Sequence, residues 1–166
     1  GRRGSVTTLT YAFYKGRKAE NPHARIFDRL VCWRTGGRFS HCELVQDIIS
    51  PHGLCWSASM RDGGVRQKWI DLSSGRWELV TVPGDRAAAV AWFEAHKGAP
   101  YDWFGLLGWL APWRVSNAQW WYCSEACGAA AGLPPEQTRR LSPNDFYRWA
   151  MAQQTTTPPT TEPADA

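Results

Sequence analysis

The stretch Phe39-Ser-His-Cys-Glu-Leu-Val-Gln-Asp-Ile-Ile49, closed by Ser50-Pro51-His52-Gly53, decides how the chain is read. An apolar and β-branched run bounded by turn formers predicts a strand followed by a turn. His41 and Glu43 lie two positions apart in it, so their side chains share one face of the strand. A carboxylate beside an imidazole orients one ring nitrogen and leaves the other to handle a proton, which is half of a nucleophile–base arrangement. Taken alone, the pair is more simply a surface His–Glu contact on a half-exposed strand.

Working outward, Thr7 to Gly16 alternates as a strand ending at a glycine turn. Asn21-Pro22 opens a short amphipathic helix with apolar positions at Ile26, Phe27, Leu30, Val31 and Trp33, stopped by Gly36-Gly37. After the decisive strand, Leu54 to Ser59, Val65 to Ile70 and Trp77 to Val82 read as further strands of an antiparallel meander. The period then changes to helical. Asp85 caps a helix from Arg86 to Lys97 with Gly98 as its stop. A second helix is expected over Trp103 to Leu110, and a third from Cys123 through Ser-Glu-Ala-Cys-Gly-Ala-Ala-Ala to Gly132. A fourth, Pro143 to Met151, opens with Ser142 as cap and Asp145 three residues on. The expected fold is α+β: an antiparallel sheet of about five strands packed against helices. The domain is placed at residues 7–152. Residues 1–6 read as a leftover of cloning or processing, and 153–166 as a flexible Thr/Pro-rich tail.

The bulk composition narrows the function classes. With 166 residues the chain suits one domain with a substantial core. A net charge of +4, half of it from Arg2 and Arg3, is too small to argue for nucleic acid, and no basic run is interleaved with aromatics. Eleven tryptophans suggest a heavily aromatic core, or a groove that grips something flat or apolar. Trp103 to Trp113 is the longest apolar stretch. It is too short to span a bilayer, and reads as a buried helix or as a contact with a membrane surface. Five cysteines, an odd number, without a leader argue against a secreted disulfide scaffold and for reduced thiols.

Cys123 is distinguished by its setting in Trp-Trp-Tyr-Cys-Ser-Glu-Ala-Cys-Gly. A thiol at a helix start meets unsatisfied N–H groups and the positive end of the helix dipole, both of which favour the reactive thiolate. The same N–H groups can hold an oxyanion. The plainer alternative is a small buried helix residue. Cys127, one turn on, reads as packing. A metal held by Cys123 and Cys127 would need two further ligands from Cys42, His52 and Cys55, and these spacings match no common zinc pattern. No cofactor and no metal are therefore expected.

The motifs gain weight in order. Ser40-His41-Cys42-Glu43-Leu44, Gly64-Val65, Tyr101-Asp102, Tyr122-Cys123-Ser124-Glu125 and Leu141-Ser142-Pro143-Asn144-Asp145 together resemble the circularly permuted branch of the NlpC-type papain-like cysteine hydrolases. That branch includes the lecithin retinol acyltransferase-like enzymes. The resemblance spans Leu9 to Trp149. It implies a Cys–His dyad acting on an amide, ester or thioester carbonyl, with Cys123 attacking, His41 moving the proton and a third polar residue completing the set. Glu43 is favoured for that third place and Ser57 comes second, with His52 less plausible. Tyr122, Ser124 and Tyr101 are candidate supports of the site. Asp102 is expected to cap the helix after it. Arg61, in the turn Arg61-Asp62-Gly63-Gly64, is a candidate contact for an anionic substrate, whereas His23 and His96 read as bystanders.

The expected activity is that of a thiol peptidase or amidase. Peptidoglycan-type peptides suit the family and acyl lipids its permuted branch. An acyltransferase or thioesterase on lipids is the alternative, followed by a non-catalytic binding module on the same fold. The Arg/Trp/Ala-rich composition suits a bacterial or bacteriophage source, with action in the cytoplasm or at the cell envelope.

Overall fold

The computed structural model describes residues 7–16, 22–102, 121–139 and 141–155. Its elements run β1 (Thr8–Lys15), α1 (Pro22–Thr35), β2 (Phe39–Ile49), β3 (His52–Ser59), β4 (Gly64–Asp71), β5 (Trp77–Pro83), α2 (Arg86–Ala95), α3 (Cys123–Ala130), α4 (Pro135–Thr138) and α5 (Pro143–Thr155). The fold is α+β. One five-stranded antiparallel sheet has the order β4-β3-β2-β1-β5.

Strands β2, β3 and β4 neighbour one another in the order expected of the meander, but β5, its expected last strand, does not extend it. β5 crosses the sheet and pairs with β1, Tyr11 opposite Val80, so β1 lies inside the sheet. Burial explains the choice. Leu9, Tyr11 and Phe13 of β1 are buried on one face, and strand β5 supplies Val80 and Val82 to the same core. On that face Cys42, Leu44, Trp56 and Ala58 meet Ala89 and Phe93 of α2, Ala126 and Cys127 of α3, and Phe146 and Ala150 of α5. Aromatic edges lock α5 down, with Phe146 4.8 Å from Tyr11 and Tyr147 4.5 Å from Phe39 between ring centres. A smaller cluster of Ala12, Val45 and Cys55, with Ile70, Leu72 and Trp77, occupies the opposite face.

The motif residues outside the dyad have structural duties. Ser142 and Asp145 form a reciprocal cap on α5: Asp145 N–H donates to Ser142 Oγ at 3.0 Å, and Ser142 N–H to Asp145 Oδ2 at 3.1 Å. Asn144 then clips the start of β2. Its Oδ1 accepts from Phe39 N–H at 3.0 Å, and its Nδ2 donates to Phe39 O and Thr35 Oγ1. Gly64, at φ +150°, is required by a close approach, since a Cβ there would stand 2.0 Å from the Ala99 carbonyl oxygen. Val65 N–H consequently bonds Ala99 O at 2.9 Å, which leads the chain into Tyr101.

Four expectations change. Ile26, Leu30 and Trp33 of α1 are exposed, so this helix packs through Asp28, Val31 and Cys32 and not through its most apolar stripe. The short helix α4 was unforeseen; Pro135 in its first turn starts it. α5 runs to Thr155, past the boundary drawn at 153, and Gln154 donates to Thr81 O at 3.0 Å. Asp85 caps α2 as expected, accepting from Ala88 N–H at 3.0 Å, but that helix closes at Ala95, before Lys97. The expected helix at 103–110, the apolar stretch 103–113, residues 1–6 and the tail beyond 155 lie outside the described residues, as does the His23 side chain.

Candidate active site

The β2–β3 ladder runs from Ile49 opposite His52 only as far as Leu44 opposite Trp56. Beyond that point the Ser57 hydroxyl, not a ladder bond, takes the Cys42 carbonyl at 2.7 Å. The first residue of α3 arrives at this end of the sheet. Cys123 is buried there, within hydrogen-bonding reach of the His41 imidazole and of both the thiol and the backbone N–H of Cys42.

The strand alternation puts His41 and Glu43 on one face, as the sequence requires. His41 Nε2 donates to Glu43 Oε1 at 2.7 Å, which leaves Nδ1 as the ring nitrogen for the thiol. The His41 side chain keeps 23% exposure and that of Glu43 only 1%. A carboxylate so deeply buried needs a counter-charge. Arg66 of β4 supplies it as a two-pronged clamp, with Nη1 to Oε2 and Nη2 to Oε1 both at 2.6 Å. Asp62 holds the guanidinium from behind, accepting from Arg66 Nε at 2.8 Å. The chain of contacts is therefore Cys123–His41–Glu43–Arg66–Asp62.

Each member perturbs the next. Burial alone would protonate Glu43, but the Arg66 hydrogen bonds and the His41 charge outweigh it and hold the carboxyl below its usual range. Burial alone would also discharge His41; the Cys123 thiolate and the Glu43 carboxylate reverse this and push its pKa up to about 10. For Cys123 the Cys42 thiol hydrogen bond acts first, burial opposes it, and the His41 charge adds to it. The thiol is held well below its usual range. Both directions favour a thiolate–imidazolium pair over the neutral one.

A cleft of about 400 Å³ opens beside the dyad. Its walls include His41, Ser40, Asp28 and Tyr101 near the chemistry, and Tyr14, Trp69 and Trp77 further out. Cys123 is not part of the cleft wall, whereas His41 beside it is.

The sequence candidates divide accordingly. Cys123, His41 and Glu43 come together. Tyr101 lines the cleft close enough to Cys123 that burial and the thiolate charge both raise its phenol pKa. The Ser57 hydroxyl is committed to the Cys42 carbonyl, and it is Glu43 that bonds the His41 ring. Ser124 and Tyr122 are structural: the Ser124 hydroxyl donates to Leu141 O, and the buried Tyr122 hydroxyl reaches Thr138 O at 3.4 Å. Asp102 is buried with its N–H on Trp121 O at 3.1 Å. Arg61 lies on the cleft wall. His52 stands exposed at the far end of β3, and His96 is held by the Trp92 carbonyl at 2.7 Å. All five cysteines are unbridged, and among the described residues no group of side chains is arranged to hold a metal ion. No helix among them is long and apolar enough to cross a membrane.

Sequence reasoning missed Arg66, Asp28 and the Cys42 thiol. Arg66 was reachable in principle, since it follows Gly64-Val65 on the strand beside β3. Asp28 had no local signal; only the docking of α1 brings it to His41. Comparison with family models, with curated proteins and with solved structures gave no match.

Proposed function

We propose that the chain is a cysteine hydrolase of the peptidase or amidase type, built as a permuted papain-like domain. The observation that carries this reading is a cysteine at a helix start, beside an imidazole whose other nitrogen is fixed by a buried, clamped carboxylate. Groups whose charges are tuned by burial and by specific partners beside a cleft mark a candidate reactive site.

In the proposed reaction Cys123 sulfur attacks the acyl carbon. The developing oxyanion is met by first-turn N–H groups of α3 at Cys123 and Ser124. The imidazolium gives its proton to the leaving amine as the C–N bond breaks, leaving a thioester on Cys123. Water then adds to that thioester while His41 takes its proton. Collapse releases the acid and restores the thiolate. Glu43 holds the ring in place throughout and stabilises its charge.

The test is alkylation of Cys123 by iodoacetamide across pH, followed by intact mass, in the parent and in His41→Ala. The expected result is modification well below the pH at which a free thiol, with pKa about 8.5, becomes reactive, and loss of that low-pH reactivity in the variant. An inert Cys123, or a profile indifferent to His41, overturns the reading.

A further inference from the structure

Asp28 on α1 is buried to 7% exposure, yet it stands on the wall of the cleft together with Ser40 and His41. Its Oδ2 and the Ser40 Oγ are both buried and both lack a hydrogen-bond partner of ordinary geometry. The hydroxyl is nonetheless near enough to the carboxyl to ease the cost of burying it. The Ser40 hydroxyl compensates the carboxyl only in part, and buried polar atoms left short of partners are costly.

The chain goes out of its way to place them together. Gly16, at the end of β1, sits between them: a Cβ there would stand 2.6 Å from Ser40 Oγ and 2.9 Å from Asp28 Cβ. Only a glycine lets the end of β1, the middle of α1 and the start of β2 converge at this point. The Asp28 carboxyl feels the charges of Arg61, His41 and Cys123, so it belongs to the same electrostatic neighbourhood as the reacting sulfur. Arg61 reaches the same cleft from the β3–β4 turn but is exposed there, and no hydrogen bond joins it to Asp28 Oδ2.

An occupant of this pocket must donate hydrogen bonds to a carboxylate and to a hydroxyl, and a positive charge would balance the carboxylate. A primary ammonium does all three: it has three donors and one charge. The geometry points to Asp28 and Ser40 as the recognition site for a free amino group on the acyl side of the substrate, close to the carbonyl that Cys123 attacks. This inference rests on the proposed hydrolase reading and narrows its substrates to aminoacyl or short peptidyl groups with an unblocked amino end.

The experiment compares two affinity labels, alanine chloromethyl ketone and its N-acetyl form, by their rates of Cys123 modification at pH 7. An α-amino group with pKa near 7.7–8.0 is mostly charged at that pH. Each rate is divided by that of iodoacetamide on the same protein, so changes in the thiolate itself cancel. The parent is expected to prefer the free amine by about tenfold or more, the scale of a hydrogen bond to a charged group. The preference is expected to fall to near unity in Asp28→Asn and by a smaller factor in Ser40→Ala. A parent that reacts with iodoacetamide but labels equally with both ketones overturns the amine site and leaves the hydrolase standing. A preference that survives in Asp28→Asn equally removes Asp28 from the assignment. A Cys123 inert to iodoacetamide brings down the hydrolase reading and this inference with it.

Discussion

His41 Nε2 and Glu43 Oε1 stand 2.7 Å apart on a single strand, and the second oxygen of the same carboxylate is clamped by Arg66 at 2.6 Å. The orienting group is thus itself oriented. A carboxylate held from one side by a guanidinium can be aimed at the imidazole without competing rotamers, and its charge reaches Cys123 through the ring.

Glu43→Gln keeps the shape of the side chain and removes the charge. The imidazolium then loses a stabilising partner, and the thiolate loses with it. Alkylation of Cys123 by iodoacetamide at pH 7 is expected to slow by about tenfold, the cost of one charge-assisted hydrogen bond. The low-pH limb of the profile should move to higher pH. Stopped reactions read by intact mass check both points, and an unchanged profile would detach Glu43 from the dyad.

Arg66→Met tests the clamp from the other side. It leaves Glu43 buried with only His41 as counter-charge, and breaking a buried pair in this way costs about 3–5 kcal/mol. Urea unfolding should show the loss. The double variant Glu43→Gln with Arg66→Met is expected to recover part of it, since the uncompensated charge is gone. A single variant as stable as the parent would mean that the pair is not buried in solution as described.

What could be read in advance follows the range of the forces involved. His41 and Glu43 share a strand, and Cys123 begins a helix; both facts depend on periodicities of a few residues, so the dyad and its orienter were legible. The boundaries of β2 were legible for the same reason, with Gly37 before it and Ser50-Pro51 after it. The placement of β5 beside β1 was not, because it is decided by which apolar face completes the core. Asp28 was silent because it acquires its meaning from an element distant in sequence; Arg66 could be placed on the strand beside β3, but its pairing with Glu43 could not. The stripe Ile26, Leu30 and Trp33 misled outright: its helical spacing is real, but the helix docks through its other side. Ser57 was plausible by position, and it was drawn instead to the carbonyl that the end of the β2–β3 ladder leaves open.

The Cys42 thiol makes a separate contribution. It is the foremost influence lowering the Cys123 pKa, ahead of the His41 charge. Cys42→Ala removes that donor and keeps the backbone N–H, so Cys123 alkylation at pH 7 should slow by about tenfold. Cys127→Ala is the matched control. Its thiol donates to the Cys42 carbonyl at 3.9 Å and also reaches the Cys42 thiol, but it is not among the groups that lower the Cys123 pKa, so the profile should hold its place. Equal effects of the two variants would show that packing, not the Cys42 hydrogen bond, sets the reactivity.

The thiolate–imidazolium pair also fixes how stability depends on pH. The His41 pKa is raised from 6.5 to about 10 on folding, so its contribution is complete below about 6.5 and is lost as pH rises towards 10. The Cys123 pKa is lowered, so its contribution is complete above the unfolded value of about 8.5 and is lost as pH falls. Between about 6.5 and 8.5 the two slopes cancel: the folded pair holds one proton on the imidazole, and the unfolded pair holds one on sulfur. Above that window the unfolded state has released its proton while the folded imidazolium keeps it, so stability declines with rising pH. Below the window the unfolded histidine gains a second proton, so stability declines with falling pH. Glu43 adds to the acid limb, because its own pKa is lowered. Subtracting the profile of Cys123→Ala from that of the parent isolates the pair. Urea midpoints across pH 5 to 10 are expected to give a difference that is flat near neutrality and shrinks on both sides. A difference that grows steadily in one direction would mean that the folded pair does not keep a single proton across this range.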